Sequence, residues 1–299
     1  MKKESIFIAG GSGYVGSRLA PQLADEGYKV TVYDIMYFGN DFFSRKNKNL
    51  KIIKGDIRDT ESLEKACYGH DIFLDLACIS NDSSFDLDEK LSTSINFDAF
   101  EPMVLAAKRS GIKRFIYASS SSVYGVSEKP EVKEDHPLVP LTLYNKYKGM
   151  CEPLLLKHTN NNFEGVIFRP ATVCGYSPRM RLDVSVNMLT FQALKYKKIT
   201  LFGGKQIRPN IHILDLSRIF IHFIKKPNLP SGFYNAGFEN LSLLELSKMI
   251  QKKIPCEVKI KNLFDPRSYR LDSSKLLKTG FRPNFKVIDA IGEITEKYK

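Results

Sequence analysis

The feature that most constrains the fold of this chain is a glycine-rich turn near its start, Gly10-Gly11-Ser12-Gly13-Tyr14-Val15-Gly16. A short apolar run, Ser5–Ala9, predicts a strand directly before it, and residues 14–26 have the apolar spacing of a helix. Glycines between a strand and a helix let the chain turn tightly, let the backbone approach a pyrophosphate and let the helix pack on the sheet. The amides of such a helix start then face the phosphates. The pattern predicts a dinucleotide site whose residues are Gly10, Gly13, Tyr14, Val15 and Gly16.

Strands and helices alternate through the first half of the chain. The runs that predict further strands are residues 29–34, 51–56, 71–77, 114–119 and 163–169. The runs with helical spacing are residues 61–67, 96–110 and 144–156. This alternation predicts right-handed βαβ units and a parallel sheet covered by helices on both faces. The predicted fold class is therefore α/β, a Rossmann-type doubly wound parallel sheet with a smaller C-terminal substrate-binding lobe.

The alternation of strands and helices ends after about residue 172, where prolines and shorter segments interrupt it. We therefore predict a dinucleotide-binding Rossmann domain over residues 1–172 and a smaller lobe over residues 173–299. Parts of residues 210–240 are expected to return to the first domain. The elements predicted in the lobe are helices at 186–196 and 243–252 and strands at 199–202 and 257–260.

Composition favours a folded protein without a membrane segment. The chain has 299 residues, of which 43% are hydrophobic and 26% charged, the balance of a soluble globular protein. No apolar run approaches the roughly 20 residues that a membrane-spanning helix needs, and the N-terminal apolar run is too short for a signal peptide. A cytoplasmic protein without a membrane partner is expected.

The charge and the cysteine content argue against three further classes: nucleic-acid-binding proteins, disulfide-rich proteins and zinc proteins. The net charge of +12 can attract an anionic partner, but the basic residues are mostly isolated lysines without interleaved aromatic residues. This pattern favours a solvated surface over nucleic-acid binding. The five cysteines are dispersed and contain no Cys-x-x-Cys, which argues against a disulfide framework and a structural zinc site. No metal site is predicted.

Asp34 indicates which dinucleotide is bound. It ends the second predicted strand, about 20 residues after the glycines, where a carboxylate accepts hydrogen bonds from an adenosine ribose. A carboxylate there repels the additional phosphate of NADP, and no arginine stands beside it in the sequence. We therefore predict NAD, tightly bound as NAD(H). Asp56 and the adjacent Ile57 end the third strand; the spacing leaves open whether Asp56 reaches the adenine or caps the following turn.

A second motif contains a candidate proton acceptor. Tyr144 and Lys148 are four residues apart and so share one helix face. A tyrosine with an ordinary pKa near 10 is a poor base, but a nearby ammonium favours its phenolate. Such a phenolate can take a proton from a hydroxyl while hydride leaves the same carbon. The serine-rich segment 117–125 precedes this motif at the end of a predicted strand.

Together with the glycine turn, these segments resemble the extended short-chain dehydrogenase/reductase (SDR) family, in its nucleotide-sugar epimerase and dehydratase branch. Further matches are residues 71–78, Asn96, residues 168–170, residues 208–215 and residues 265–275. The resemblance covers nearly the whole chain in the expected order, and it is more specific for fold and cofactor than for substrate.

The resemblance implies roles for individual residues. Tyr144 is the proton acceptor, Lys148 its partner, and Ser120 the hydroxyl that hydrogen-bonds the reacting oxygen. Because Ser121 and Ser122 are adjacent, a shift by one residue stays open. The other positions that line the cofactor by resemblance are Leu76, Ala77, Cys78, Asn96, Ser119, Pro170 and Thr172.

Departures from the family pattern bear on the reaction. The dehydratases of this branch carry Asp-Glu directly after the catalytic serine or threonine, whereas this chain has Ser121 and Ser122. This difference argues against water elimination. Thr172 replaces a common asparagine, and Cys174 replaces a common tyrosine.

Substrate contacts are implied mainly in the second half of the chain. Arg208 matches an arginine that holds the phosphates of the nucleotide, since planar guanidinium donors bind phosphate oxygens in pairs. The other predicted substrate contacts are Asn81, Ser121, Ser122, Arg179, Asn187, Met188, Phe202, Arg267 and Tyr269.

The predicted function is oxidation of a secondary hydroxyl, at carbon 4, of a nucleotide-activated sugar of the UDP-hexose or GDP-heptose type. The enzyme would be a 4-epimerase or a 4-dehydrogenase that gives a keto sugar, in bacterial capsule or other surface polysaccharide biosynthesis. A catalytically idle NAD-binding sensor or scaffold is the alternative. The resemblance also implies a homodimer through a four-helix interface of helices 96–110 and 144–156, with apolar residues Phe97, Phe100, Met103, Leu154 and Leu155.

Overall fold

The main layer of the computed structural model is a seven-stranded parallel sheet; the structure describes residues 3–43, 47–80, 82–127, 129, 131–262 and 268–299. Its strands are β1 (Ser5–Ala9), β2 (Lys29–Asp34), β3 (Leu50–Lys54), β4 (Ile72–Asp75), β5 (Arg114–Ala118), β6 (Glu164–Pro170) and β10 (Gly232–Ala236). Their order is β10-β6-β5-β4-β1-β2-β3, and every neighbouring pair is parallel. The order reverses at β1, which is where open α/β sheets bind ligands beyond the carboxyl ends of their strands.

Helices cover both faces of this sheet. The described helices are α1 (Gly16–Asp25), α2 (Thr60–Cys67), α3 (Asp82–Phe85), α4 (Glu89–Thr93), α5 (Phe100–Arg109), α6 (Leu143–Leu156), α7 (Ser185–Tyr196), α8 (Ile213–Lys225), α9 (Leu243–Lys253), α10 (Ser274–Lys278) and α11 (Val287–Tyr298). Helices α1 and α8 pack on one face of the sheet and α2, α5 and α6 on the other. Strand β1 shows the two-sided burial directly, because Ile6 and Ile8 belong to one core cluster and Phe7 and Ala9 to the other. The predicted α/β class with a covered parallel sheet is confirmed.

The C-terminal part adds two small sheets. Their strands are β7 (Thr172–Cys174), β8 (Lys198–Phe202), β9 (Ile207–His212), β11 (Glu239–Ser242) and β12 (Glu257–Lys261). One sheet has the order β11-β9-β7 and the other pairs β12 with β8. A third core cluster, with buried residues from α7, α9 and α11, holds this lobe together. Strand β10 leaves the lobe to pair with β6 in the main sheet.

The predicted helix over residues 96–110 begins differently in the structure. A π-helical turn, Ser94–Asp98, precedes α5, which starts only at Phe100. The turn directs Asn96 inward, where its side-chain amide accepts from the Ile79 amide and donates to the Ile79 carbonyl, both at 2.8 Å. Single π turns inside helices are frequent at functional sites. Here the turn holds the segment that follows β4.

A search of the helices in the described part of the chain finds none that is both long and apolar enough to span a membrane.

Candidate active site

A cavity of about 590 Å³ lies beyond the carboxyl ends of β1, β4 and β5, between the main sheet and the C-terminal lobe. Most of the predicted site residues lie on its wall. They are Gly10, Gly13, Tyr14, Val15, Gly16, Leu76, Cys78, Ser119, Ser120, Ser121, Ser122, Tyr144, Lys148, Pro170, Thr172, Arg179, Met188, Phe202, Arg208 and Tyr269. The structure thus brings residues from distant parts of the sequence to one site.

The glycine turn leaves no room for side chains at two of its positions. Gly10 has φ +74°, and a Cβ there would lie 2.5 Å from the Ala77 amide nitrogen. A Cβ on Gly16 would lie 2.4 Å from the Gly11 carbonyl oxygen. The predicted contact residue Ala77 therefore packs its backbone against the turn. The start of α1 borders the cavity without intervening side chains at Gly10, Gly13 and Gly16, so the residues present fit a dinucleotide.

Asp34 fixes the glycine turn from the end of β2. Its carboxylate accepts hydrogen bonds from the Ser12 amide at 3.0 Å and the Met36 amide at 2.9 Å. The carboxylate is thus held beside the turn, where the sequence places a ribose contact.

Asp56 has a different partner. Its carboxylate accepts from the Arg58 amide at 2.9 Å and pairs with the Arg58 side chain. Hydrogen bonds from Arg58 lower the pKa of Asp56. These contacts favour the turn-capping role over adenine binding. Asp56 and the buried Ile57 lie away from the cavity wall, and cofactor contact by either stays a prediction.

Helix α6 presents Tyr144 and Lys148 to the cavity. The helix begins at Leu143 and is capped by Thr142, whose hydroxyl accepts from the Asn145 amide. Tyr144 lies in the first turn and Lys148 one turn later. The Lys148 ammonium donates to the Ala118 carbonyl at 2.8 Å and lies over the Tyr117 ring, 4.8 Å from its centroid. The end of β5 thus positions the lysine.

The electrostatics of this pair favour a charged lysine and a protonated tyrosine. Burial raises the pKa of Tyr144 to about 12, and nearby Cys78 adds to this, while Lys148 and Arg181 lower it. Burial works against the charge of Lys148, but Cys78, Tyr144 and Asp75 outweigh it and raise the pKa of Lys148 above its usual range. Tyr144 therefore depends on positive charge beside it to become a base.

Of the four serines after β5, Ser120, Ser121 and Ser122 have different hydrogen-bond partners. Ser120 caps the 3₁₀ turn Ser121–Tyr124, and its hydroxyl lies 2.7 Å from that of Ser122. Ser122 in turn donates to the Asn145 side-chain oxygen on α6. Ser121 hydrogen-bonds the Tyr269 hydroxyl at 3.0 Å, in the C-terminal lobe. Ser120 and α6 are therefore linked, and Ser121 and Ser122 carry hydroxyls with partners of their own.

Ser119 is anchored by a buried ion pair. Its hydroxyl donates to Glu152 Oε1 at 2.7 Å. Glu152, on α6, also receives two hydrogen bonds from Arg169 on β6, at 2.9 and 2.6 Å. The Arg169 guanidinium donates further to the Tyr124 hydroxyl at 2.7 Å. Both charged side chains are almost completely buried.

Asn187 and Asn96 are held by hydrogen bonds within the protein, and contact of either residue with substrate or cofactor stays a prediction. Asn187 was expected near the base or ribose of the substrate, but it is fully buried. Its amide accepts from the Gly175 amide at 3.0 Å and donates to the Tyr14 hydroxyl and the Arg181 carbonyl. It joins α7 to the glycine turn. Asn96, expected to line the cofactor, lies behind the wall and holds Ile79.

Arg179 lies closer to the cofactor residues than predicted. The centre of its guanidinium is 3.5 Å from the centroid of the Phe38 ring, and its amide donates to the Ser17 hydroxyl on α1. Although no arginine stands beside Asp34 in the sequence, the charge of Asp34 acts on the Arg179 pKa. Burial outweighs that effect and lowers this pKa.

Phe38 and Arg181 also line the cavity, and neither was among the predicted site residues. Arg181 forms a two-pronged ion pair with Asp183, and its charge acts on Tyr144. The sequence contained a sign of each residue: Phe38 is an aromatic residue shortly after the second predicted strand, and Arg181 is a second arginine two positions after Arg179.

Asn81 and Arg267, predicted to contact the substrate, lie outside the described residues. Within the described ranges no group of three metal-ligating side chains occurs.

Comparison with known proteins gives consistent results. Residues 6–237 match the family model described as the NAD dependent epimerase/dehydratase family. A Bacillus subtilis protein named as an uncharacterized UDP-glucose epimerase is 31% identical over 261 residues, covering 82% of this chain and 81% of that protein.

Two proteins of known structure show the same fold. A UDP-N-acetylglucosamine 4-epimerase from Methanobrevibacter ruminantium superposes with a TM-score of 0.89 at 25% identity, covering 99% of this chain and 98% of that one. A UDP-glucuronic acid 4-epimerase from Bacillus cereus superposes with a TM-score of 0.87 at 26% identity, covering 98% of this chain and 100% of that one.

Removing the charge of Asp34 should weaken the preference for NAD. In Asp34→Asn we expect NADH affinity to fall about tenfold, roughly 1.4 kcal/mol, because the ribose and the glycine turn lose a charged acceptor. NADPH affinity should rise because the repulsion of its phosphate is gone. Fluorescence titration with both dinucleotides measures the ratio. Asp41→Asn, at an exposed site in the following loop, is the control, and an unchanged ratio in Asp34→Asn would contradict the assignment.

Proposed function

The chain belongs to the NAD-dependent epimerase/dehydratase family, and from this premise we propose that it is a 4-epimerase of a UDP-activated hexose. The observation that carries the proposal is the shared cavity of Ser120, Tyr144, Lys148 and the glycine turn. The relatives described above, each named as an epimerase of a UDP-sugar, support the same class.

Three residues of the chain act in the first step, the oxidation of the sugar hydroxyl. NAD, when bound, supplies a ring that accepts hydride from the sugar carbon and later returns it. Tyr144 as phenolate removes the proton of the hydroxyl on that carbon. Ser120 holds the reacting oxygen by a hydrogen bond, and Lys148 keeps positive charge beside the phenolate. Tyr144, protonated in the first step, would give its proton back to the same oxygen when the opposite face of the keto sugar is reduced, and the product would be the epimer.

The serine segment supports epimerisation over water elimination. Elimination needs an acid and a base beside the reacting oxygen. Ser121 and Ser122 offer hydroxyls instead, and these are bonded to Tyr269 and to Ser120 and Asn145. A net 4-dehydrogenase uses the same first step and differs in releasing the keto sugar.

A second candidate substrate is a UDP-uronic acid. Arg181 places a positive charge at the same end of the cavity as Tyr144. A guanidinium there suits a sugar that carries a carboxylate.

The alternative of an idle NAD-binding sensor or scaffold predicts no turnover. The presence of Ser120, Tyr144 and Lys148 in one cavity speaks against it, since a scaffold needs only the glycine turn.

We further propose that the product enters bacterial surface polysaccharide synthesis.

We also propose that the chain forms a homodimer. Of the apolar residues expected at the interface, Phe100, Met103 and Leu155 are buried in the core of the chain itself. The support comes instead from exposed Met150 on α6 and Leu91 on α4. Light scattering should give the mass of two chains, and the mass of one chain would contradict the dimer.

A sugar panel tests the reaction. UDP-glucose, UDP-N-acetylglucosamine, UDP-glucuronic acid and a GDP-heptose are each incubated with the protein and NAD. A 4-epimerase gives the C4 epimer without lasting NADH absorbance, whereas a dehydrogenase accumulates NADH and a keto sugar. Tyr144→Phe should lose at least a hundredfold in kcat because the proton acceptor is gone, while retaining bound NAD. Turnover by Tyr144→Phe at the wild-type rate would contradict the assigned base.

Lys148 should control the pH dependence. Its ammonium lowers the pKa of Tyr144, so Lys148→Met leaves that pKa higher. We expect the rising limb of kcat against pH to move upward by roughly one pH unit at saturating NAD. Lys146→Met, exposed on the same helix, is the matched control. A limb that stays in place would show that Lys148 does not act on the base.

A further inference from the structure

We propose that Arg179 belongs to the cofactor site and that its stack on Phe38 forms a clasp across the phosphate end of the cavity, slowing the release of NAD(H). The proposal rests on the NAD dependence of the family and not on the identity of the sugar. It reassigns Arg179, which the sequence placed among the substrate contacts.

The loop that carries Arg179 is fastened to the first turn of α1. The Ser177 hydroxyl, fully buried, donates to the Tyr14 carbonyl at 2.7 Å and lies 2.8 Å from the Ser17 hydroxyl. The Arg179 amide donates to the same Ser17 hydroxyl at 3.3 Å. The Tyr14 hydroxyl donates to the Gly175 carbonyl at 2.6 Å, at the start of the loop. These contacts fix Arg179 beside the helix start that faces the cofactor phosphates.

The side chain then spans the cavity mouth. Its guanidinium stacks on Phe38, which follows β2 and is 57% exposed. One nitrogen of the guanidinium donates to the Met180 carbonyl at 3.2 Å. Phe38 and Arg179 both line the cavity together with the glycine turn. Arg179 and Phe38 therefore approach from two sides of the same opening.

The charges distinguish the two arginines of this loop. Arg181 donates two hydrogen bonds to Asp183, and its charge lowers the pKa of Tyr144. Arg179 is half-buried at the glycine end of the cavity, and its burial, together with the charge of Arg181, lowers its pKa. A diphosphate beside it would compensate that burial. The anion that fits is the pyrophosphate of the cofactor.

A closed clasp has a kinetic consequence. An enzyme that takes up hydride and returns it in one cycle must keep the cofactor longer than one turnover. Phe38 and the loop of Arg179 are attached to different segments, so the dinucleotide leaves only when their stack separates. The clasp thus makes release slower than sugar exchange.

Release of NADH measures the clasp without any sugar. The chain has no tryptophan, so the fluorescence of bound NADH is not mixed with energy transfer from indole. Protein loaded with NADH is diluted into excess NAD and the loss of bound-state fluorescence is timed. Arg179→Gln and Phe38→Ala should each speed release about tenfold, and the double variant should add little because the two act as a unit. Phe38 is largely exposed, so its removal leaves the core intact.

Arg282→Gln, at an exposed arginine between α10 and α11, is the control and should leave the release rate unchanged. UDP affinity, measured by calorimetry on the NAD-loaded protein, should be the same in Arg179→Gln as in the wild type. Wild-type release rates in both Arg179→Gln and Phe38→Ala would overturn the proposal. Weaker UDP binding in Arg179→Gln would overturn it as well and return Arg179 to the substrate site. Since no step uses sugar turnover, the outcome is independent of the proposed epimerase activity.

Discussion

The buried ion pair between Glu152 and Arg169 is the interaction on which the geometry of the site depends. It ties α6 to β6, and through Ser119 and Tyr124 it also holds the end of β5 and the turn after it. Two charges removed from water are tolerated only when both are fully hydrogen-bonded, and removing one partner of such a pair costs roughly 3–5 kcal/mol. The elements that carry Ser120 and Lys148 therefore cannot shift relative to one another without breaking it.

This anchoring explains how side chains that are unreactive by themselves can form an active site. Tyr144 has a raised pKa and Ser120 an ordinary hydroxyl, so neither is reactive alone. The Ala118 carbonyl fixes the Lys148 ammonium, and Ser122 links Ser120 to Asn145 on α6. In the proposed mechanism, reactivity arises from holding these groups in one place, in the way that preorganised sites generally work.

The sequence was sufficient for features that depend on local spacing. The strand, turn and helix around Gly10–Gly16 and the four-residue step from Tyr144 to Lys148 are set by the periods of strand and helix, and both could be predicted. The contacts of Asn187 and Arg179 could not be predicted, because their partners Tyr14 and Phe38 are more than 130 positions away in the sequence. An isolated asparagine or arginine in a sequence carries no sign of such a partner.

The π turn at Ser94–Asp98 has a consequence for the length of the chain. Such a turn contains one residue more than an α-helical turn would need, so its removal would allow a smoother helix. Deleting one residue here would let the turn close with ordinary i→i−4 bonds, so α4 and α5 would keep their directions while the side chains of the turn would change theirs. Asn96 would then leave Ile79, and the wall after β4 would lose its support. The extra residue of the π turn is therefore needed to place Asn96 against Ile79, and a chain shorter by one residue here would lose that contact.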